Sequence, residues 1–280
     1  MIISVINHAN STITDDKLHE AIRAINRQIT CDFEPYWHMG GALRLEGRSE
    51  LKPGTKNLPD MRGDAILYVW SEADLDDALG YHDANHRGVP YGFVFTELAK
   101  AVGENWTVTL SHEALELIAD PEVNLLVQGP HPGNRSKSVF HWYEMCDAVQ
   151  DETYRIDDIE VSNFVLPLYF TSEQESGSRN DFLGHQHGTI GPLRSFGVNP
   201  GGYIGFYNPE TGKHETVAME GDERAAKRLE AKSRVKRGRR GLRYQQPVGD
   251  RIPRKAAPVK KGVKVLKRSG VDEAGVERRE

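Results

Sequence analysis

Cysteine is scarce in this chain, and long apolar runs are absent. The 280 residues include two cysteines, Cys31 and Cys146, which do not suggest a disulfide framework. No stretch reaches the roughly 20 consecutive apolar residues that a bilayer-spanning helix needs. The first residues, Met-Ile-Ile-Ser-Val-Ile-Asn, lack a basic segment and a small-residue cleavage site, so they predict a first strand and not a signal peptide. We therefore expect a cytoplasmic protein with no membrane partner.

Positive charge is scarce over residues 1–220 and concentrated after them. Residues 1–220 contain 16 Lys and Arg against 33 Asp and Glu, a formal charge of −17, whereas residues 221–280 contain 20 against 8, a charge of +12. The basic segment has almost no apolar periodicity, so it cannot bury enough surface to fold alone. We predict one domain over 1–220 and a largely extended or disordered tail over 221–280. Two interpretations of the tail remain open: a solvated, flexible segment, or a contact with nucleic acid or an acidic protein surface.

The most informative motif is His112-Glu-Ala-Leu-Glu116. Residues four apart on a helix lie on the same face, so His112 and Glu116 can bind one metal ion. Glu113 is rotated by about 100° from His112 and can sit beside the ion, where it would take a proton from a bound water. This is the arrangement of HExxH metallopeptidases with a glutamate in place of the second histidine. Because carboxylate oxygens also bind zinc, the motif predicts a zinc site, although a second anionic ligand would make hydrolysis slow or absent.

An ordinary amphipathic helix is the alternative interpretation of this segment. Its apolar stripe is formed by Leu115, Ile118 and Ala119. His112 and Glu116 would then lie on the solvated face. The metal site is favoured by a histidine within an otherwise apolar segment and by the sharp stop at Asp120-Pro121.

Five groups of motifs follow one another over about residues 1–207. They are Gly80-Tyr-His-Asp83, Pro90-Tyr-Gly-Phe-Val-Phe95, Leu110-Ser-His-Glu-Ala-Leu-Glu116 with Asp120-Pro121, Tyr143-Glu-Met-Cys-Asp147, and Val161-Ser-Asn-Phe-Val-Leu-Pro167. In these motifs the chain resembles a family of zincin-like proteins encoded by phages and bacteria. The resemblance implies a zincin-like fold, a glutamate at position 116 in place of the second histidine, and a virion location if a phage encodes the chain. It implies no particular substrate, because most members have no defined function.

A zincin site needs a third ligand from beyond the helix, and four residues are candidates. Asp120 lies eight residues after His112, about 12 Å along a helix axis, and is better interpreted as a helix terminator. Glu144 and Asp147 are three apart, would share a face if helical, and follow a polar Gly/Pro loop over residues 128–137 that could bring the chain back. We favour Glu144, with Asp147 second. Cys146 is a further candidate, although a single cysteine is more often a small buried hydrophobic side chain.

Other histidines are candidates for secondary roles. His185 and His187 would point the same way if the chain is extended, so a second metal site is conceivable, and we favour a solvated loop. His82 and Asp83 could form a hydrogen-bonded pair that orients a loop above the cleft, and we favour such a structural use.

The hydrophobic patterns predict an α+β fold in which a small mixed sheet packs against the active-site helix. We expect strands at 2–6, 36–45, 65–70 and 90–96, with helices at 15–29, 72–79 and 105–119. The chain then becomes β-rich, with a strand at 159–170 broken at Pro167 and a hairpin at 201–217.

Two functions from different classes remain. In a zinc peptidase, His112, Glu116 and Glu144 would hold the ion, Glu113 would take the proton of the bound water, and strand 90–96 would pair with an extended peptide. Alternatively, a structural or virion-associated protein within a large assembly keeps the fold and is anchored by its basic tail. The intact Glu113 favours the first function, and the tail favours the second.

Overall fold

The structure is a computed structural model that describes residues 1–9, 11–51, 58–71, 79–85, 87–171 and 178–221. All of them belong to one compact unit. The helix predicted at 72–79 and the tail predicted at 221–280 lie outside the described residues. Only their end residues, 79 and 221, are described. In the described part, no helix combines the length and the apolarity that crossing a membrane requires.

A five-stranded mixed sheet lies at the centre of the fold. Its strands are β1 (Ile2–His8), β2 (Ala42–Glu46), β3 (Ala65–Trp70), β4 (Gly80–Ala84) and β5 (Pro90–Phe95), in the order β2-β1-β3-β5-β4. The neighbouring strands are parallel except for β4, which runs antiparallel to β5. Almost every residue of β1, β3 and β5 is buried. Continuous apolar runs in these strands fit a sheet that is covered on both faces.

Two capped helices pack on one face of this sheet. They are α1 (Asp15–Arg27), which continues into a π-helix (Gln28–Phe33), and α4 (Trp106–Ala119). The described part of the chain also contains the short helices α2 (Glu34–Trp37) and α3 (Thr96–Ala101). The side chain of Thr14 caps α1, and that of Asn105 caps α4, each by accepting from a backbone N–H of the first turn. Side chains of α1 and α4 share one apolar cluster with Ile3 and Val5 of β1.

The second half of the chain is mostly antiparallel. It contains β6 (Leu126–His131), β7 (Asn134–Trp142), β8 (Thr153–Ile156), β9 (Ile159–Ser162), β10 (Tyr203–Asn208) and β11 (Lys213–Ala218). Four of these strands form a sheet in the order β11-β10-β7-β6, and β8 pairs with β9. Helix α4 packs against β4 and β5 on one side and also contacts β9. The helix is therefore enclosed between the two halves of the fold.

The α+β prediction is confirmed, and several of its elements need correction. The strand expected at 36–45 begins at Ala42, because Glu34–Trp37 is helical and Pro35 fits the first helical turn. The loop expected at 128–137 is the hairpin of β6 and β7, and the strand expected at 159–170 ends at Ser162. The sequence patterns missed β4 and α3.

The predicted peptide-binding edge was also wrong. Strand β5 lies between β3 and β4 and pairs with both of them. In the described part of the chain, the edge of the sheet on this side is β4.

Candidate metal centre

Helix α4 brings His112, Glu113 and Glu116 into the interior. Every residue from Thr107 to Ala119 is buried, and the exposed fractions of His112, Glu113 and Glu116 are 7%, 3% and 0%. The alternative of a helix with its polar residues on a solvated face is therefore wrong. Burying ionisable side chains is costly unless they are paired or bind a metal ion.

His112, Glu116 and Asp147 form one potential ligand group. His112 Nε2 lies 3.2 Å from Glu116 Oε2 and 3.3 Å from Asp147 Oδ1. Zinc bonds of about 2.0–2.1 Å in a tetrahedron place neighbouring ligand atoms about 3.3–3.4 Å apart. The two separations from His112 Nε2 thus fit a tetrahedral ion, and all three donor atoms lie within 4.8 Å of one another. The four-residue spacing on α4 supplies two of the three donors.

Asp147 is fixed beside α4 by the residue that precedes it. The backbone N–H of Cys146 donates to Glu116 Oε1 over 3.2 Å, and the Cys146 thiol lies 3.9 Å from the carbonyl oxygen of His112. Burial, followed by the nearby Glu116 carboxylate, raises the pKa of the Cys146 thiol well above its usual value. Among the described residues Cys146 belongs to neither group of close potential ligands, so its role is that of a small buried side chain.

Glu144 occupies a different position from the one we favoured. Its Oε2 lies 3.8 Å from His82 Nε2. Among the described residues it belongs to neither group of three potential ligands, whereas Asp147 does. Residues 143–146 are not helical, so Glu144 and Asp147 do not share a helix face as the sequence argument assumed. The geometry thus favours Asp147 as the third ligand.

Asp120 ends helix α4, as its place before Pro121 predicts. Its carboxylate oxygens accept from the backbone N–H groups of Asn124 and Leu125 over 3.1 and 2.9 Å. Burial raises the pKa of this carboxyl group. Asp120 therefore closes the turn after the helix and is not part of either ligand group.

His82 on β4 is the site residue that the sequence analysis placed incorrectly. It is 1% exposed, and its Nδ1 lies 3.0 Å from Glu113 Oε2 and 3.6 Å from Glu116 Oε2. Neighbouring residues on a strand point to opposite faces, so His82 faces α4 while Asp83 points away from it. The structure joins His82 to the helix through Glu113. The only signal in the sequence was the Gly80-Tyr-His-Asp83 motif.

Gly80 allows β4 to approach the helix. A Cβ atom at this position would lie 2.7 Å from Thr109 Cγ2, 2.9 Å from the Phe93 carbonyl oxygen and 3.1 Å from Glu113 Cγ. Such separations are too short for a carbon atom, so any side chain here would push the strand away from α4. Because glycine has no Cβ atom, position 80 allows the close approach that brings His82 into contact with Glu113.

The electrostatics of the site favour positive charge. Burial has the largest effect on His112 and lowers its pKa, but the carboxylates of Glu116, Asp147 and Glu113 outweigh it and raise the pKa to about 10. A cluster with more carboxylates than imidazoles stabilises a cation, whether a proton or a metal ion.

A small cleft gives access to this cluster. Its lining consists of His112 and Glu113 together with Leu79, Gly80, Glu104, Thr109 and Gln150. The hydroxyl of Thr109 donates to Glu104 Oε1 over 2.7 Å, which holds that carboxylate at the entrance. The candidate ligand His112 and the candidate base Glu113 thus line the same cleft.

His187 does not lie in a simple solvated loop. Its Nε2 is 2.6 Å from Glu152 Oε1, which also accepts from Asn199 Nδ2 over 2.6 Å. His185 is exposed, and its Nδ1 lies 3.8 Å from Glu152 Oε2. Among the described residues, these side chains do not form a group of three close metal ligands. The buried Glu152 carboxylate therefore fastens this loop to the core.

No family model, curated protein or solved structure matches this chain.

Proposed function

We propose that this protein is a zinc-dependent hydrolase of the zincin type, most naturally a peptidase, whose ion is held by His112, Glu116 and Asp147. The observation that supports this proposal best is the separation of their donor atoms, 3.2 and 3.3 Å from His112 Nε2. Nitrogen and oxygen donors from three residues are typical of catalytic zinc, which keeps a fourth position for water.

The roles of the side chains follow from their positions. When bound, zinc would lower the pKa of a water molecule and polarise a carbonyl group. Glu113 lies beside the ligand group and at the cleft, so its carboxylate would accept the proton of the water and pass it to the leaving amine. His82 Nδ1 lies 3.0 Å from Glu113 Oε2, and with a single ion its N–H would donate to this carboxylate and fix its orientation.

An extended peptide is the substrate class that the sheet supports. Strand β4 forms the edge on this side of the described sheet and carries both Gly80 at the cleft and His82 at the site. A peptide can add to such an edge through backbone hydrogen bonds, which would place its carbonyl groups along the cleft. This assigns to β4 the role that we expected of β5.

The ligand set also implies a modest rate. Two carboxylates and one imidazole cancel the charge of a divalent ion, so the ion withdraws less electron density from water than one held by neutral imidazoles would. We therefore expect slow hydrolysis.

Metal analysis and a peptide assay test the proposal. Protein purified without chelators should contain zinc, and Glu113→Gln should fold normally and lose hydrolysis of unstructured peptides. Absence of any transition metal from the wild-type protein would overturn the proposal.

A structural role is the second candidate, because residues 221–280 carry a charge of +12 next to a domain of −17. Such a segment would anchor the domain to a polyanion within a larger assembly. In that case the metal site would stabilise the fold without catalysis. A chain that binds zinc and hydrolyses no peptide would favour this function.

A further inference from the structure

We infer that the site holds two metal ions, with a second cation position formed by His82, Glu113 and Glu116. The inference rests on the proposed function, because it extends the same site from one ion to two. Glu116 would belong to both positions and bridge the ions.

The geometry places two ligand groups side by side. His82, Glu113 and Glu116 form one group, and in each of the two groups the donor atoms lie within 4.8 Å of one another. Glu116 Oε2 is common to both groups, at 3.6 Å from His82 Nδ1 and 3.2 Å from the nitrogen donor of the other group. In two-metal hydrolases the ions are about 3.5–4 Å apart, a distance that one shared oxygen can bridge.

The charge of the cluster is the second and independent observation. Two imidazoles share this volume with four carboxylates, and all six side chains are at most 10% exposed: His82, His112, Glu113, Glu116, Glu144 and Asp147. When all four carboxylates are ionised, one divalent ion leaves two negative charges uncompensated, whereas two divalent ions balance all four. Because uncompensated buried charge is costly, the cluster is suited to two ions.

The competing arrangement has a single ion. In that case the 3.0 Å contact between His82 and Glu113 is only a hydrogen bond that orients the base. The two arrangements predict different stoichiometry, and neither depends on an activity. With two ions, Glu113 can bind through one carboxylate oxygen and accept a proton on the other.

Manganese titration distinguishes these arrangements. Mn²⁺ accepts carboxylate and imidazole ligands and reports its surroundings by electron paramagnetic resonance. Metal-free full-length protein, titrated with Mn²⁺ in a calorimeter, should bind two equivalents, and the spectrum of isolated Mn²⁺ should weaken when the second ion binds beside the first. One equivalent with an isolated-ion spectrum would overturn the second position and leave the proposed function standing. No binding of either Mn²⁺ or Zn²⁺ would overturn both.

Matched variants assign the positions. His82→Asn keeps a donor for Glu113 and should reduce binding to one equivalent with an isolated-ion spectrum, and Asp147→Asn should do the same by removing the other position. His185→Asn, an exposed histidine outside the cluster, should still bind two equivalents. Two equivalents in folded His82→Asn would contradict the inference. If circular dichroism shows that His82→Asn is unfolded, the stoichiometry and the spectrum of the wild-type protein still distinguish one bound ion from two.

Discussion

His82 Nδ1 lies 3.0 Å from Glu113 Oε2, and this contact joins the edge strand β4 to the buried helix α4. A strand residue and a helix residue that are 31 positions apart thus meet at the candidate metal centre. The contact links the edge that would receive a peptide to the carboxylate that would act on it. Changes at this junction should therefore alter the orientation of the Glu113 carboxylate and, with it, any hydrolysis.

The third ligand can be identified by a matched pair of substitutions. Asp147→Asn should lower zinc affinity at least tenfold, because a neutral amide replaces an anionic ligand near His112 and Glu116. Glu144→Gln makes the same chemical change about three residues away and should have a much smaller effect. Zinc content after dialysis against a graded series of chelator concentrations measures both. Loss of zinc in the Glu144 variant alone would restore the original preference for Glu144.

The base can be tested separately from the ligands of the ion at His112. Glu113→Gln preserves the shape of the side chain but cannot accept a proton, so peptide hydrolysis should fall by about 10²-fold or more while the ion at His112 is retained. Glu122→Gln, at an exposed position after the helix, serves as the control and should keep wild-type activity. Equal activity in the Glu113 variant and the wild type would remove Glu113 from the mechanism.

The part of the site that lies on α4 was predictable because its signals are local. The cap at Asn105, the apolar run and the stop at Asp120 all act within one helix, so the spacing of His112 and Glu116 already determined that they share a face. Strand 65–70 was predicted with the same bounds for a similar reason, since a continuous buried strand carries its own pattern.

The rest of the site depends on contacts between distant residues. Strand β4 has only five residues and includes a glycine, a histidine and an aspartate, which are not typical strand residues. Its extended conformation therefore depends on pairing with β5, and its own sequence pattern does not predict it. Likewise, the Cys146 N–H donates to Glu116 and not to a carbonyl of a helical turn, which is why Asp147 and not Glu144 reaches His112. A helix-face argument could not have detected this tertiary contact.

Gly80 provides a test of the close approach between β4 and α4. Gly80→Ala introduces a Cβ atom 2.7 Å from Thr109 Cγ2 and 2.9 Å from the Phe93 carbonyl oxygen. We expect a loss of about 1–3 kcal/mol in the free energy of unfolding and weaker metal binding, because the strand must move away from the helix. Gly47→Ala is the matched control, since a Cβ atom there has no neighbour within 4 Å. Chemical denaturation of both metal-free variants measures the difference in the free energy of unfolding. Equal stability of the two variants would show that the fold accommodates a Cβ atom at position 80 without cost.

His141 predicts a dependence of stability on pH that is independent of the metal centre. Burial lowers the pKa of His141 to about 4, although its Nε2 donates to the carbonyl oxygen of Pro130. The unfolded chain binds a proton near pH 6.5 and the folded chain does not, so the stability contributed by this neutral side chain is present above pH 6.5 and is lost as the pH falls towards 4. The loss amounts to about 3 kcal/mol.

A variant isolates this contribution. His141→Gln cannot titrate, so the metal-free variant should lose less stability than the metal-free wild type between pH 7 and pH 4.5. If the free energy of unfolding changes equally with pH in both proteins, His141 is protonated in the folded state or is not buried.

Removal of the tail separates catalysis from anchoring. The protein truncated after residue 220 should remain folded and bind metal, because the basic segment carries too little apolar surface to contribute to a core. If the tail binds a polyanion, the full-length chain should bind DNA or RNA without sequence preference and more weakly as salt rises, since displaced counterions drive such binding. The truncated form, which keeps a charge of −17, should not bind. Equal binding by both forms, or binding that ignores salt, would count against the anchoring role. Unfolding of the truncated form would instead show that the basic segment packs against the acidic domain, and that the boundary at residues 220 and 221 divides a single folded unit.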